Sequence, residues 1–199
     1  PNSKSSWPDS PVFPLPRMKD KSVGLIELSS IAAGFAVCDT MLKAGAVNLL
    51  LSRSICSGKY MVLIGGATAD VEAAVAAGCA AAAGCLIDST TIANIHPDVF
   101  VALGRNTVVP PDHSGALGVL ESFNIASLIL AADALVKAAD VQLLEVRLAM
   151  ALGGKAFCTF TGGVSAVESA LRAGRQVLAD AGVLVNAVAI SRPHPDVYR

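Results

Sequence analysis

The sequence predicts an α/β (α+β) fold of two tandem domains, each with the element order β-α-β-β-α-β. The first observation behind this prediction is that short apolar runs typical of buried strands alternate with longer helical segments. The second is that the chain repeats itself: Val23-Gly24-Leu25-Ile26-Glu27 recurs as Leu117-Gly118-Val119-Leu120-Glu121. The order within each half is the split, ferredoxin-like arrangement, and its recurrence indicates an internal duplication.

Local signals predict the elements of the first half in order. The strand that opens it ends at Ser29 and Ser30, two natural N-caps for the next helix, and that helix stops at Gly45. Gly65-Gly66 ends a later strand before an alanine-rich helix, whose first turn carries acids that suit the helix dipole. The predicted elements are the strand 23–28, the helix 31–43, the strands 47–54 and 60–64, the helix 70–83 and the strand 85–92.

Further landmarks recur in the second half in the same order. Gly58-Lys59 recurs as Gly154-Lys155 at a slightly larger spacing than the strand does, so the turn region of the second half is two residues longer. The last helix has a capping-box pattern, Ser165-x-x-Glu168. The other matched pairs are Asp39 with Asp133, Lys43 with Lys137, Val71-Glu72 with Val167-Glu168, and His96-Pro97-Asp98-Val99 with His194-Pro195-Asp196-Val197. The predicted divisions are a flexible proline-rich tail at 1–21, the first domain at 22–104, a linker at 105–114 and the second domain at 115–199.

The composition favours extensive contact between subunits. Hydrophobic residues make up 53% of the chain and charged residues 16%, which is apolar for a soluble monomer. The longest uncharged candidate for a spanning segment, 73–87, is too short and too weakly apolar to cross about 30 Å of hydrocarbon. With a formal net charge of −1 and no basic stripe, nucleic-acid binding has no electrostatic support. We therefore expect an oligomer that binds neither membrane nor nucleic acid.

Cysteine usage predicts a reducing compartment and singles out one thiol. Five cysteines, an odd number, occur without a secretion signal, so reduced thiols in the cytoplasm fit best. Cys56 lies in a polar turn, whereas the matching turn of the second half has no cysteine. A single cysteine cannot make a four-thiolate site, so Cys56 alone is a weak metal signal. The other four, Cys38, Cys79, Cys85 and Cys158, are expected in the core.

The remaining polar motifs favour structural roles over catalysis. The glycine-rich turns match no nucleotide-binding fingerprint, so we interpret them as structural turns. His96 and His194 each follow the last strand of their half, and a structural turn histidine is favoured over a catalytic or metal-binding one. Since no Ser-His-Asp or paired-carboxylate pattern is recognisable, we do not expect an enzyme.

Several motifs resemble the tandem-domain shell proteins of bacterial microcompartments, and most of all their propanediol-utilisation type. The resemblance covers about residues 22–198 and extends over both repeats. The motifs that carry it are Glu27-Leu28-Ser29-Ser30-Ile31-Ala32-Ala33-Gly34, Asp39-Thr40-Met41-Leu42-Lys43-Ala44, Ser54-Ile55-Cys56-Ser57-Gly58-Lys59-Tyr60, Ile92-Ala93-Asn94-Ile95-His96-Pro97 and Ser191-Arg192-Pro193-His194.

The resemblance implies a trimer with an iron–sulfur centre. Two tandem ferredoxin-like domains per chain would make a pseudohexameric homotrimer, a flat tile that packs edge to edge into a polyhedral shell. The turns of both repeats would line a central pore, where Cys56 would be the sole ligand from each chain to one [4Fe-4S] cluster, leaving one iron open. Ser57 replaces the proline usual in that subgroup, which loosens the turn without removing a ligand. The pore-lining residues would be Ser54, Ile55, Cys56, Ser57, Gly58, Leu152, Gly153 and Gly154.

The resemblance also implies contacts at tile edges and a function. Lys43, Lys137 and Arg192 would lie along tile edges, although lysines near helix ends also suit the helix dipole without a partner. Asn94 takes the place of this arginine in the first repeat. We expect a structural shell protein in the cytoplasm whose partners are itself, other shell proteins and a redox enzyme or electron carrier. Its cluster would pass electrons across the shell or be in transit; the alternatives are a cluster-free pore for small polar metabolites and a soluble enzyme.

Overall fold

The computed structural model describes residues 21–103, 115–148 and 155–198, so that the predicted linker and nearly all of the predicted tail lie outside it. The first half contains the six predicted elements and one further helix. They are β1 (Ser22–Leu28), α1 (Ile31–Ala44), β2 (Asn48–Ile55), β3 (Lys59–Gly66), α2 (Thr68–Ala81), β4 (Leu86–Ile92) and α3 (Pro97–Leu103). The second half consists of β5 (Ala116–Ser122), α4 (Ile125–Ala138), β6 (Val141–Leu148), β7 (Ala156–Gly162), α5 (Val164–Asp180) and β8 (Leu184–Ser191). None of the helices in these ranges has the length and hydrophobicity needed to cross a membrane.

The four strands of each half form one antiparallel sheet, in the orders β2-β3-β1-β4 and β6-β7-β5-β8. The registers correspond as well. Leu25 pairs with Leu63 and Thr90, and its equivalent Val119 pairs with Thr159 and Val188. Because strand order and register are both repeated, the predicted ferredoxin-like fold and its duplication are confirmed.

The central strand β1 contributes to two apolar clusters, because neighbouring residues of a strand point to opposite faces of the sheet. Ile26 and Leu28 pack with helix residues such as Met41. Val23 and Leu25 belong to the second cluster, which continues through α3 into the core of the second half. Every residue of β1 is consequently buried.

The helix α3 is not among the elements that the sequence predicts. Pro97 occupies its first position, where the missing N–H costs nothing, and Asp98 lies in its first turn. These are helix-start signals, but seven residues are too few to show a helical period. Val99 and Phe100 are buried, and α3 packs against β6 of the second half. The matching segment of the second half is a single 3-10 turn, Pro195–Tyr198.

The two predicted side-chain caps have different outcomes. Ser30 is the N-cap of α1 as predicted, since its Oγ accepts a hydrogen bond of 3.3 Å from the backbone N of Ala33. The capping box predicted at Ser165 is wrong, because α5 begins at Val164 after an N-cap at Gly163 and has no side-chain cap within the described chain. As the helix starts before it, Ser165 lies inside the first turn and cannot cap it.

Candidate functional site

The hairpin between β2 and β3 presents Cys56 at its tip. The two strands pair up to Ile55 and Lys59, and the three residues between these form one turn of 3-10 helix. Gly58 has φ +74°, a left-handed conformation that other residues rarely adopt, with open space where a side chain would begin. Ile55 is buried, Cys56 is half-buried and Ser54 is exposed. The hairpin thus holds one cysteine in a tight turn that starts from a buried anchor.

An ion pair fixes the hairpin immediately after this turn. Nζ of Lys59 lies 2.7 Å from Oε1 of Glu27 on β1, and the Glu27 side chain is only 9% exposed. The second half repeats the pair, with Nζ of Lys155 at 3.0 Å from Oε1 of Glu121. All four residues are landmarks of the duplication. The recurrence of both charges together is the signal by which the pair could have been found in the sequence.

An aromatic side chain holds the same hairpin from the other face of the sheet, since Tyr60 follows Lys59 in β3. Tyr60 is buried, and its ring centroid lies 5.1 Å from that of Phe35 on α1. Its hydroxyl lies 2.9 Å from Oγ of Ser52. The ring fills the space beside Gly34, where an added Cβ would meet it at 2.2 Å. The Cys56 hairpin is therefore anchored on both faces.

Arg53 joins this hairpin to the second half of the chain. Its Nη2 donates a hydrogen bond of 2.9 Å to the backbone oxygen of Leu148, the last residue of β6. The ends of β2 and β6 are therefore neighbours. The predicted pore residues Leu152, Gly153 and Gly154 follow β6 in the sequence and lie outside the described residues.

Lys137, predicted at a tile edge, lies at the boundary between the two halves. Its Nζ bonds to Oδ2 of Asp133 at 2.5 Å and donates to the backbone oxygen of Asn94 at 2.8 Å. Asp133 also accepts a hydrogen bond of 2.7 Å from the backbone N of His96. The helix α4 thus holds the turn that follows β4 of the first half.

The equivalent groups of the other repeat have a different setting. Lys43 bonds to Asp39 on α1, and these side chains are 72% and 61% exposed. Arg192 and His194, which follow β8, are exposed too. Arg192 has φ +52° and its equivalent Asn94 has φ +55°, so the two turns share one backbone geometry. The role of Lys43 and Arg192 at tile edges stays a prediction.

The remaining cysteines lie away from the hairpin tip in structural positions. Cys38 and Cys158 are buried as predicted. Burial raises the pKa of Cys158 from 9.0 to about 12, because it disfavours the charged thiolate. Cys79 and Cys85 are only half-buried, although both pack against the first apolar cluster of helix and strand residues.

The described residues of one chain do not form a metal site around Cys56. Within the described ranges, no three His, Cys, Asp or Glu side chains form a group fit to hold a metal ion. His96 and His194 lie in turns, where Nδ1 of each accepts a hydrogen bond of 3.3 Å from a backbone N two residues on. This is the structural setting expected for both.

Comparison with known proteins identifies similar chains. A model of the BMC domain family matches residues 22–95 and, again, residues 116–193. The chain is 39% identical over 180 residues to the bacterial microcompartment shell protein PduT of Citrobacter freundii, covering 90% of this chain and 96% of the relative. It is 30% identical over 171 residues to the carboxysome assembly protein CcmO of a Synechocystis species, covering 79% of this chain and 56% of the relative.

Two solved structures resemble this one over most of its length. The crystal structure of a microcompartment protein from Desulfitobacterium hafniense DCB has a TM-score of 0.84 at 44% identity, covering 88% of this chain and 97% of that chain. The fused permuted hexameric shell protein MSM0275 from the RMM microcompartment has a TM-score of 0.56 at 26% identity, covering 79% and 81%. Both similarities are too long to be confined to one half of the chain.

Proposed function

The chain belongs to the BMC-domain family as a tandem-domain microcompartment shell protein, and from that premise we propose that three copies form a ring whose central pore holds a [4Fe-4S] cluster. The protein is a structural component of the shell, as the sequence predicts. The proposal adds the ring, the cluster and the cysteine that binds it.

The boundary inside the chain supports ring formation. Asp133 and Lys137 of α4 hold the turn at 94–96, whereas their equivalents Asp39 and Lys43 of α1 are exposed. The turn at 192–194 matches the turn at 94–96, and its residues Arg192 and His194 are exposed in the single chain. The 192–194 turn of one copy can therefore bind to α1 of a second copy, in the way that the 94–96 turn binds to α4 within one chain. A head-to-tail contact of this kind generates a ring when its rotation closes.

The burial of apolar side chains on α4, compared with α1, also supports ring formation. Ile129 of α4 is fully buried in the cluster that joins the two halves, while its equivalent Phe35 on α1 is 65% exposed. Ile125 is likewise buried, and its equivalent Ile31 is 43% exposed. Large apolar side chains exposed together mark an interaction surface. A similar solved shell protein is described as hexameric, and six domains in a ring correspond to three chains of two domains.

The position of Cys56 is the observation that carries the cluster proposal. Its hairpin begins beside the end of β6, where Arg53 bonds to Leu148 and the two halves meet. A three-fold axis past these turns would bring together three Cys56 thiols, one from each chain. Thiolates are the usual protein ligands of iron–sulfur clusters, and three of them leave one iron with an open position. Such a cluster supplies one-electron chemistry, either for transfer across the shell or for delivery to a redox partner.

The contacts that anchor the hairpin compensate for the missing proline. Ser57 stands where the resemblance leads us to expect proline, whose ring would restrict the backbone of the turn. Here Lys59 is held by Glu27 on one face of the sheet, and Tyr60 is packed beside Gly34 on the other. These contacts fix the strand that leaves the turn, so the direction of Cys56 does not depend on a proline.

Anaerobic purification and reconstitution test the proposal. Wild-type protein should sediment as a trimer, contain about four iron and four sulfide per three chains, and give an EPR signal on reduction. Cys56→Ser should remain a trimer and lose both iron and signal, whereas the matched control Cys79→Ser should keep them. A Cys56→Ser trimer that retains the signal removes Cys56 as the ligand, and a monomeric wild type refutes the ring.

A cluster-free pore is the second candidate. It is favoured by the exposed Ser54 and by the open space beside Gly58, which suit the passage of small polar metabolites. The iron and sulfide content of the anaerobic trimer separates the two candidates. A trimer that contains neither, and whose Cys56 reacts with a maleimide in the intact ring, would favour the open pore.

Contacts between tiles form the last part of the proposal. Lys43 and Arg192 are exposed in the single chain. We assign them to the tile edge, toward other copies of this ring or other shell proteins, in addition to their place at the ring boundary described above. Lys137 has the equivalent place at the boundary inside the chain, where it bonds to Asn94, and its role at the edge stays a prediction. Electron microscopy of assembled sheets tests this: Arg192→Ala should abolish extended sheets, and Arg172→Ala on the exposed side of α5 should not.

A further inference from the structure

We infer that Arg147 of one chain donates a hydrogen bond to the backbone oxygen of Ser54 in the neighbouring chain, two residues before Cys56. Each Cys56 hairpin would then be completed by a second copy, which supplies a guanidinium as a positioning group. The inference rests on the ring proposed above, and it assigns a role to a side chain that the cluster proposal does not use.

The duplication makes Arg147 the counterpart of Arg53 and makes Ser54 the counterpart of Leu148. Both equivalences follow from the spacing of the repeats and, independently, from the registers of the two hairpins. The matching ladder pairs are Arg53–Met61 with Arg147–Phe157, and Ser54–Tyr60 with Leu148–Ala156.

The internal boundary already contains the contact once. Arg53 reaches from the first half to the backbone oxygen of Leu148 in the second, at 2.9 Å. If the same contact is repeated at the boundary between two chains, it joins Arg147 of one chain to the backbone oxygen of Ser54 in the next. Both acceptors lie at the ends of edge strands, β6 and β2, where alternate backbone oxygens point away from the sheet. Ser54 is exposed in the single chain, so its side of the contact is open.

Arg147 is prepared for this contact in the single chain. Its Nε donates to Oε1 of Glu145 at 2.8 Å, its Nη2 also pairs with Glu145, and its guanidinium lies 5.4 Å from the centre of the Phe157 ring. One carboxylate engages only part of a guanidinium that has five N–H donors, so donors remain for a carbonyl. Leu51 occupies the position of Glu145 in the first half. Glu145 is therefore found only in the second half, where it holds Arg147 in place before the ring closes.

The contact would serve the Cys56 site in two ways. It braces the end of β2, the strand from which the turn begins. It also brings one permanent positive charge per chain near the axis, where three thiolates and a cluster would concentrate negative charge.

Three variants test the inference in the full-length protein. Arg147→Gln should raise the dissociation constant of the trimer at least about tenfold, as expected for loss of a charged hydrogen bond at each boundary. It should also speed the loss of iron from the reconstituted trimer to a chelator several-fold. Arg147→Lys should recover part of both effects, because an ammonium keeps the charge and one donor. The matched control Arg172→Gln removes an exposed arginine of α5 and should behave as wild type.

Glu145→Gln separates the ring contact from the contact inside the chain. If Arg147 acts across the boundary, Glu145→Gln keeps the guanidinium and should weaken the trimer clearly less than Arg147→Gln does. The inference is overturned if Glu145→Gln weakens the trimer as much as Arg147→Gln, or if Arg147→Gln matches Arg172→Gln. A wild-type trimer without iron would refute the cluster instead, and the dissociation constants would still decide the role of Arg147.

Discussion

The ring of Tyr60 occupies the place where any residue larger than glycine at position 34 would put its side chain. In the second half both positions change together: Leu128 stands for Gly34 and Ala156 for Tyr60, and both are buried. The same space is filled from the strand in one half and from the helix in the other. Only the half that carries Cys56 uses an aromatic ring for this purpose.

Gly34→Ala should destabilise the protein by about 1–3 kcal/mol, because the added methyl group overlaps the Tyr60 ring. Tyr60→Ala should cost more, about 3–5 kcal/mol, through the cavity it leaves. The double variant Gly34→Leu with Tyr60→Ala copies the second half and should cost less than the sum of the two single substitutions. Urea unfolding measures all of them, and simple additivity in the double variant would contradict the exchange.

Glu27→Gln should destabilise the fold more than the matched variant Glu121→Gln. The Glu27 side chain is 9% exposed and that of Glu121 is 33% exposed, so water replaces the lost partner more readily in the second half. We expect a loss of about 1–3 kcal/mol at Glu27 and less than about 1 kcal/mol at Glu121. Equal losses in urea unfolding would show that burial does not set the contribution of these pairs.

Alkaline conditions should weaken the fold through Cys158. Burial raises the pKa of this thiol from 9.0 to about 12, so between these values the folded chain keeps a proton that the unfolded chain releases. The contribution is complete below pH 9 and is lost as the pH rises toward 12, by about 1.4 kcal/mol per pH unit. Cys158→Val should therefore show a shallower decrease of the unfolding free energy between pH 9 and 11. The same slope in both proteins would speak against ionisation of Cys158.

Asp39→Asn should weaken the trimer and leave the single chain intact. Asp39 is 61% exposed and bonds only to Lys43 among the described contacts, so its loss should change the unfolding free energy by less than about 0.5 kcal/mol. Asp133→Asn, at the equivalent position, removes the charge of a buried carboxylate that bonds to both His96 and Lys137, and it should cost about 1–3 kcal/mol. Sedimentation measures the trimer and urea unfolding measures the chain. An Asp39→Asn chain that still assembles as tightly as wild type would count against the head-to-tail boundary.

Much of the fold is predictable from the sequence, because landmarks that recur at a nearly constant spacing require two copies of one topology. Local chemistry adds the cap at Ser30, where a short hydroxyl meets a backbone N–H three residues away. The same chemistry is misleading at Ser165. A capping pattern gives the residues that could cap a helix but not the residue at which the helix begins, and α5 begins one residue before Ser165.

Contacts between distant elements are not predictable in the same way. The bond from Arg53 joins residues 95 positions apart, and its acceptor is a backbone oxygen, which leaves no mark in the sequence. Cys56 stands out because its turn is polar, whereas Tyr60, which packs the same hairpin against α1, looks like an ordinary strand residue. The short helix α3 escapes notice because it owes its burial to β6, an element of the other half.

The apolar cluster that continues from β1 through α3 into the second half bears on how such a chain can evolve. Val23 and Leu25 of the first half are shielded within a core that residues of the second half complete. Splitting the chain between its halves would expose that core on both fragments, so each fragment would need another copy to cover it. Fusion of the two copies thus gives them one shared core, and each copy can change in sequence only within the packing that both halves provide.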